Sequence, residues 1–62
     1  MSLTELITEL QKHDIAYLGK VRHNKYLFTD NYLTFVIAKD KDRYSTNLSY
    51  VDTYLRQWQN KY

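Results

Sequence analysis

The stretch Leu33-Thr34-Phe35-Val36-Ile37, set within Tyr32 to Ala38, decides how the rest of the chain is read. It is rich in β-branched and aromatic side chains, which makes it the strongest strand signal in the sequence and the expected central or best-buried strand of a sheet. Alternation gives one face of this strand Leu33, Phe35 and Ile37, and the other face Tyr32, Thr34 and Val36. Leu18 and Leu27 are expected beside the second set.

Toward the N-terminus, Asp30-Asn31 reads as a turn and Lys25 to Thr29 as a second strand. His23-Asn24 is a tight connection, because asparagine tolerates positive φ. Ahead of it, Ile15, Tyr17, Gly19 and Val21 alternate with Ala16, Leu18, Lys20 and Arg22 at a strand period. Ser2 followed three residues later by Glu5 fits a capping box, so a helix is expected to begin there. Leu3, Leu6, Ile7 and Leu10 form its apolar stripe, and it should end near His13 or Asp14.

Toward the C-terminus, Lys39-Asp40-Lys41-Asp42-Arg43 alternates in charge sign and is expected to be a solvated loop, with Tyr44 returning to the core. Ser49 and Asp52 repeat the capping-box spacing, with Asn47 as the other candidate cap. Val51, Tyr54, Leu55, Trp58 and Tyr62 then return at helical spacing, Trp58 anchoring the helix to the sheet. The expected fold is α+β, one small domain over residues 1–62 in the order α-β-β-β-α. Two helices pack on one face of a three-stranded antiparallel sheet and leave the other face uncovered.

Length and composition narrow the functions. The chain has 62 residues and a mass of 7.6 kDa, too small for a two-domain enzyme, a repeat array or a large cofactor fold. It has no cysteine, hence neither a disulfide nor a cysteine-held zinc to brace so small a core. A monomer of this size is marginal, so a homodimer or a host protein partner is expected to add stability. The lack of cysteine suits a reducing cytoplasm. No apolar run approaches a membrane span and the opening segment is acidic where a leader would be basic, so no membrane partner is expected. Lysine, asparagine, tyrosine and isoleucine fill 20 positions. That bias is expected of AT-rich coding DNA, as in low-GC bacteria and their phages, and suits a phage or mobile-element accessory protein.

The net charge of +2 is small but unevenly spread: residues 1–18 sum to −2 and residues 19–43 to +3. Lys20, Arg22 and Lys25 make a local basic edge that is either a solvated hairpin or a phosphate-binding patch for RNA or DNA. The single glycine, Gly19, cannot form a phosphate-cradling loop. His13 and His23 are separated by a strand with no third ligand near either, so no metal and no cofactor are expected. Asp40 and Asp42 sit between basic residues and read as solvated charges. Seven tyrosines exceed what this core can enclose, so some rings face solvent or a partner. Tyr26, Tyr32, Thr34 and Val36 are the candidate interaction residues.

His23 is the one candidate for general acid–base work, because an imidazole exchanges protons near neutral pH and the adjacent cations suit a phosphate. The amphipathic helix carrying Glu5-Leu6-Ile7-Thr8-Glu9-Leu10, followed by Ile15 and a basic hairpin bearing His23, resembles the HicA-type toxins in topology. The resemblance implies a small α-β-β-β-α ribonuclease with a double-stranded-RNA-binding-like fold, in which His23 takes the place of the catalytic histidine. Here Val21-Arg22 precede that histidine, where the family usually has glycine and serine, and Asn47 to Thr53 carry none of the basic residues with which such domains grip RNA. The leading expectation is therefore a small non-catalytic interaction protein, binding a protein partner or itself, in the manner of an inhibitor-like accessory protein. The alternatives are a HicA-like ribonuclease using His23 and a nucleic-acid-binding module without chemistry.

Overall fold

Ser2 opens the first helix, α1 (Leu3–Gln11): its hydroxyl accepts from the Glu5 amide at 3.2 Å while the Glu5 carboxylate accepts from the Ser2 amide at 3.2 Å. The expected capping box is present. A computed structural model describes residues 2–61; Met1 and Tyr62, the latter expected on the second helix's apolar stripe, lie outside the described residues. The helix ends in a Schellman turn. Asp14 adopts φ 60°, its amide donates to the Gln11 carbonyl at 3.2 Å, and the Ile15 amide donates to the Leu10 carbonyl at 3.1 Å. Leu10 and Ile15 are both buried, which supplies the apolar contact that fixes this turn. The chain thereby reverses directly into the sheet.

The sheet is an antiparallel meander of four strands in the order β1-β2-β3-β4: β1 (Ala16–Arg22), β2 (Lys25–Thr29), β3 (Thr34–Asp40) and β4 (Arg43–Thr46). The expected three-stranded sheet is thus corrected to four, while the α+β class stands. The difference lies in the charged run. Lys39 and Asp40 complete β3, a two-residue turn with Lys41 at φ 57° reverses the chain, and Arg43 begins β4 opposite Asp40. The charges do face solvent, but alternation of sign is equally the pattern of an exposed hairpin end. What holds the segment in the sheet is Tyr44, whose side chain is only 2% exposed.

Two bulges bend β1, where the pairing register shifts between Tyr17 and Gly19 and again between Lys20 and Arg22. Gly19 sits at φ 133° within the first, a conformation other residues adopt only with strain. The turn between β2 and β3 is built on the Asp30 carboxylate, which accepts from the amides of Tyr32 at 3.0 Å and Leu33 at 2.8 Å. Asn31 occupies φ 80° beside it.

The last helix, α2 (Ser49–Gln59), has Leu48 at its N-cap and no side-chain cap, so the capping box expected from Ser49 and Asp52 is not formed. Asp52 instead accepts from the Thr46 amide at 3.2 Å and from Arg56 Nε at 3.0 Å. Both helices cover one sheet face. Leu6 and Leu10 from α1, Val51, Leu55 and Trp58 from α2, and Tyr26, Phe28, Ile37 and Tyr44 from the strands enclose the core with Ile15. Rings pack edgewise through it, Tyr17 against Phe28 at 5.1 Å between centroids and Tyr26 against Tyr44 at 6.5 Å.

Gln59 completes the arrangement. Only 5% exposed, it accepts from the Tyr44 amide at 2.6 Å and donates to the Tyr44 carbonyl at 2.9 Å, the two groups that an edge strand turns outward. A further bond to the Leu55 carbonyl at 3.1 Å steadies the amide. Gln59→Ala leaves a buried backbone pair without partners, and leaving one such group unsatisfied costs about 1–3 kcal/mol. The expected outcome is a loss of roughly 2–4 kcal/mol in urea denaturation, with Gln59→Glu also destabilising at neutral pH, because it turns a buried carboxylate oxygen toward the Tyr44 and Leu55 carbonyls. Equal midpoints for wild type and Gln59→Ala would show that this clamp holds nothing.

Candidate interaction surface

Pairing register distributes the strand residues between two faces. Tyr17, Phe28 and Phe35 share one row, and Tyr26, Ile37 and Thr46 another, all on the helix-covered side. On the uncovered side, Leu27 pairs with Val36, and the bulge places both Leu18 and Gly19 opposite Leu27. An apolar row of Leu18, Leu27 and Val36 therefore crosses three strands. Leu18 is 54% exposed and Val36 39%. Ala16, Thr29 and Thr34 flank the row on one side, and Arg22, Lys25, Ala38 and Ser45 on the other.

The four residues expected to form an interaction surface are not brought together. Thr34 and Val36 lie on the uncovered face as expected, but Tyr26 is on the helix side and buried. Its side chain belongs to the core. Tyr32 precedes β3 and stands 91% exposed in the turn, where the Asp30 bonds hold its backbone off the strand path. Leu18 and Leu27 lie beside Val36 as expected, whereas Val21, which alternation grouped with Ile15 and Tyr17, is exposed because the bulges break the simple alternation of β1.

The sheet's other notable feature is one of its ends. In a meander the first and third turns fall together, so the His23-Asn24 and Lys41-Asp42 turns are neighbours, tied by the Lys39 amide donating to the Asn24 carbonyl at 2.9 Å. Lys20, Arg22, Lys25, Lys39, Lys41 and Arg43 collect there against Asp40 and Asp42. The ion pairs among the described residues, Lys12–Glu9 at 3.3 Å and Arg56–Asp52 at 3.0 Å, involve none of these cations. Arg43 donates to the Asn60 side chain at 3.1 Å, and Lys39 lies 5.9 Å above the Tyr44 ring. Recognising Arg43 to Thr46 as a strand was the missing step that would have placed Lys41 and Arg43 beside Lys20, Arg22 and Lys25.

His23 is exposed in its turn, outside an open trough of about 710 Å³ between the β3–β4 turn and α2. Lys41, Arg43 and Arg56 line that trough together with Asp40, Asp42 and Asp52, a mixed set that pairs no nucleophile with a base. His13 packs its ring on Tyr54 at 4.4 Å. Among the described residues no three histidine or acidic side chains converge as metal ligands, and no helix is long and apolar enough to cross a membrane.

Two carboxylates are tuned by tyrosines. The Tyr54 hydroxyl donates to Glu9 and the Tyr50 hydroxyl to Asp30. Each bond favours the ionised acid and holds its carboxyl below the ordinary range, with the Leu33 and Tyr32 amides adding to the effect at Asp30. Tyr50 is pushed up by the same bond, and burial pushes up Tyr44. A carboxyl depressed in the folded state contributes stability above its unfolded value, near 4, and loses it as pH falls through the folded value. Melting temperature should therefore drop between pH 6 and pH 3 by less in Tyr54→Phe than in wild type. Identical pH dependence would remove Glu9 from the account. Comparison of the chain with protein-family models, with curated proteins and with solved structures finds no match.

Proposed function

We propose that this chain is a non-catalytic protein-interaction module that docks its uncovered sheet face on a protein partner, a second copy of itself in the first instance. The observation that supports this is the apolar row of Leu18, Leu27 and Val36 on the side opposite both helices. Such a row is the usual centre of a small interface, and the threonines and cations around it suit a polar rim. Binding of this kind needs no turnover, which is the property of an inhibitor-like accessory protein.

The sheet edges argue for docking by the face rather than by strand addition. Asp52 and Gln59 occupy the outward groups of β4, while bulges and the exposed Lys20 and Arg22 blunt β1. A two-fold arrangement places the same patch on both copies. A stable interface needs about 800 Å² from each partner, roughly a fifth of the 4407 Å² exposed by this chain, so the rim must take part with the row.

Sedimentation velocity over a hundredfold concentration range tests the reading. Wild type should shift toward the dimer mass, Val36→Arg and Leu18→Arg should stay monomeric with unchanged circular dichroism, and Thr53→Arg, on the exposed side of α2, should behave as wild type. A wild-type chain that remains monomeric at the highest concentration would reject self-association. Dimerisation that survives Val36→Arg would move the interface off this face.

A further inference from the structure

We propose that the paired hairpin tips form a binding site for the phosphate backbone of a nucleic-acid duplex, read without regard to base sequence. The site lies at the end of the sheet; Arg22 and Lys25 also border the uncovered face, so the site shares these two cations with the proposed rim and is tested in the Val36→Arg monomer as well as in wild type. Its first support is convergence: residues far apart in sequence, Lys20 to Lys25 and Lys39 to Arg43, are brought to one end by the meander and tied there by the Lys39–Asn24 backbone bond. Six cations meet two carboxylates, so this end carries more positive charge than the whole chain. Of the other acids, Asp14 and Asp30 lie toward the opposite end, Glu9 is paired with Lys12 and Asp52 with Arg56, and Glu5, in the first turn of α1, packs beside Trp58 on the helix side. The resulting polarity turns the tips toward a polyanion as it approaches.

The second support is availability. None of these cations is held in an ion pair among the described residues, and Lys20, Arg22, Lys25, Lys41 and Arg43 are all exposed. The two tips stand two strand spacings apart, about 10 Å, a width that meets several charges of a duplex carrying one per roughly 1.7 Å of its axis.

The third support separates a duplex from a single strand. Binding of single strands uses exposed aromatic rings on which bases stack. Among the described residues the exposed tyrosine rings, Tyr32 and Tyr50, belong to the far end, where Tyr50 bonds to Asp30. Tyr26 and Tyr44, nearest the tips, are buried. Among the described residues His23 is the one exposed ring at the tips, and many charges around a single imidazole suit a backbone whose bases are already stacked away.

Fluorescence anisotropy with labelled 20-base-pair DNA, the same duplex as RNA, a single strand of equal length and poly-glutamate tests this across a salt series. Both duplexes should bind whatever their sequence, the single strand more weakly, and poly-glutamate negligibly. The log–log salt slope should lie near −3 to −4, as about four neutralised phosphates require. A preference between DNA and RNA would name the source of the backbone. The double variant Lys25→Glu/Lys41→Glu should weaken binding at least tenfold with circular dichroism unchanged, whereas Thr53→Glu should bind as wild type. Lack of binding at low salt, tighter binding of the single strand, equal binding of poly-glutamate, or indifference to the double reversal would each overturn the proposal. Because Val36→Arg abolishes only the face contact, its duplex binding shows whether the two surfaces fail separately.

Discussion

The fold depends on how Tyr44 is held. Its ring closes the core beside Tyr26, while the Gln59 amide takes both the amide and the carbonyl of its backbone. A short edge strand of Arg43–Thr46 has too little apolar surface to stay in place through its own side chains. The clamp lets a helix behave toward the sheet as one more strand would, and it also fixes the rotation of α2. With that rotation set, Val51, Leu55 and Trp58 turn inward, and Asp52 reaches the Thr46 amide one step further along the same edge.

Legibility in the sequence followed the range of the interactions. The first helix could be read because the Ser2–Glu5 box and the Leu3, Leu6, Ile7, Leu10 stripe are local. Strands β2 and β3 could be read because alternation and turn residues are local as well. The fourth strand could not, since the force that holds Lys39 to Arg43 in a hairpin comes from Tyr44 and from Gln59, fifteen positions later. Ser49 illustrates the same point from the other side: its spacing to Asp52 is that of a cap, but the Asp52 carboxylate has a better use at Thr46 and Arg56. Gln59 itself has no distinctive signal, being an ordinary polar residue on an amphipathic helix until the strand beside it is known.

The candidate surfaces were legible to a similar degree. The uncovered face followed from placing two helices on one side of a sheet, and Thr34 and Val36 were assigned to it by alternation. Tyr26 was misplaced because a tyrosine's body is apolar enough for the core while its hydroxyl suggests a surface, and only pairing with Ile37 decides between them. The basic edge was visible as Lys20, Arg22 and Lys25, but its full extent depends on topology, which joins two turns that sequence separates.

The meander has a kinetic meaning as well. Each strand pairs with its neighbour in sequence through short turns, so the sheet can zip by successive hairpins with little loop entropy to overcome at any step. The contacts that span the chain are few and late in character: Tyr54 reaches back across 45 positions to Glu9, and α1 and α2 meet only once both lie on the same face. The order of assembly that fits these contacts is β1 to β3 first, with β4 fixed only when α2 docks through Gln59 and Asp52, and the Schellman turn at Asp14 keeping α1 close to β1 until then. A chain built in that order exposes its apolar face as a nearly finished sheet, and the bulges of β1 then guard against pairing with another chain before the helices have closed over it.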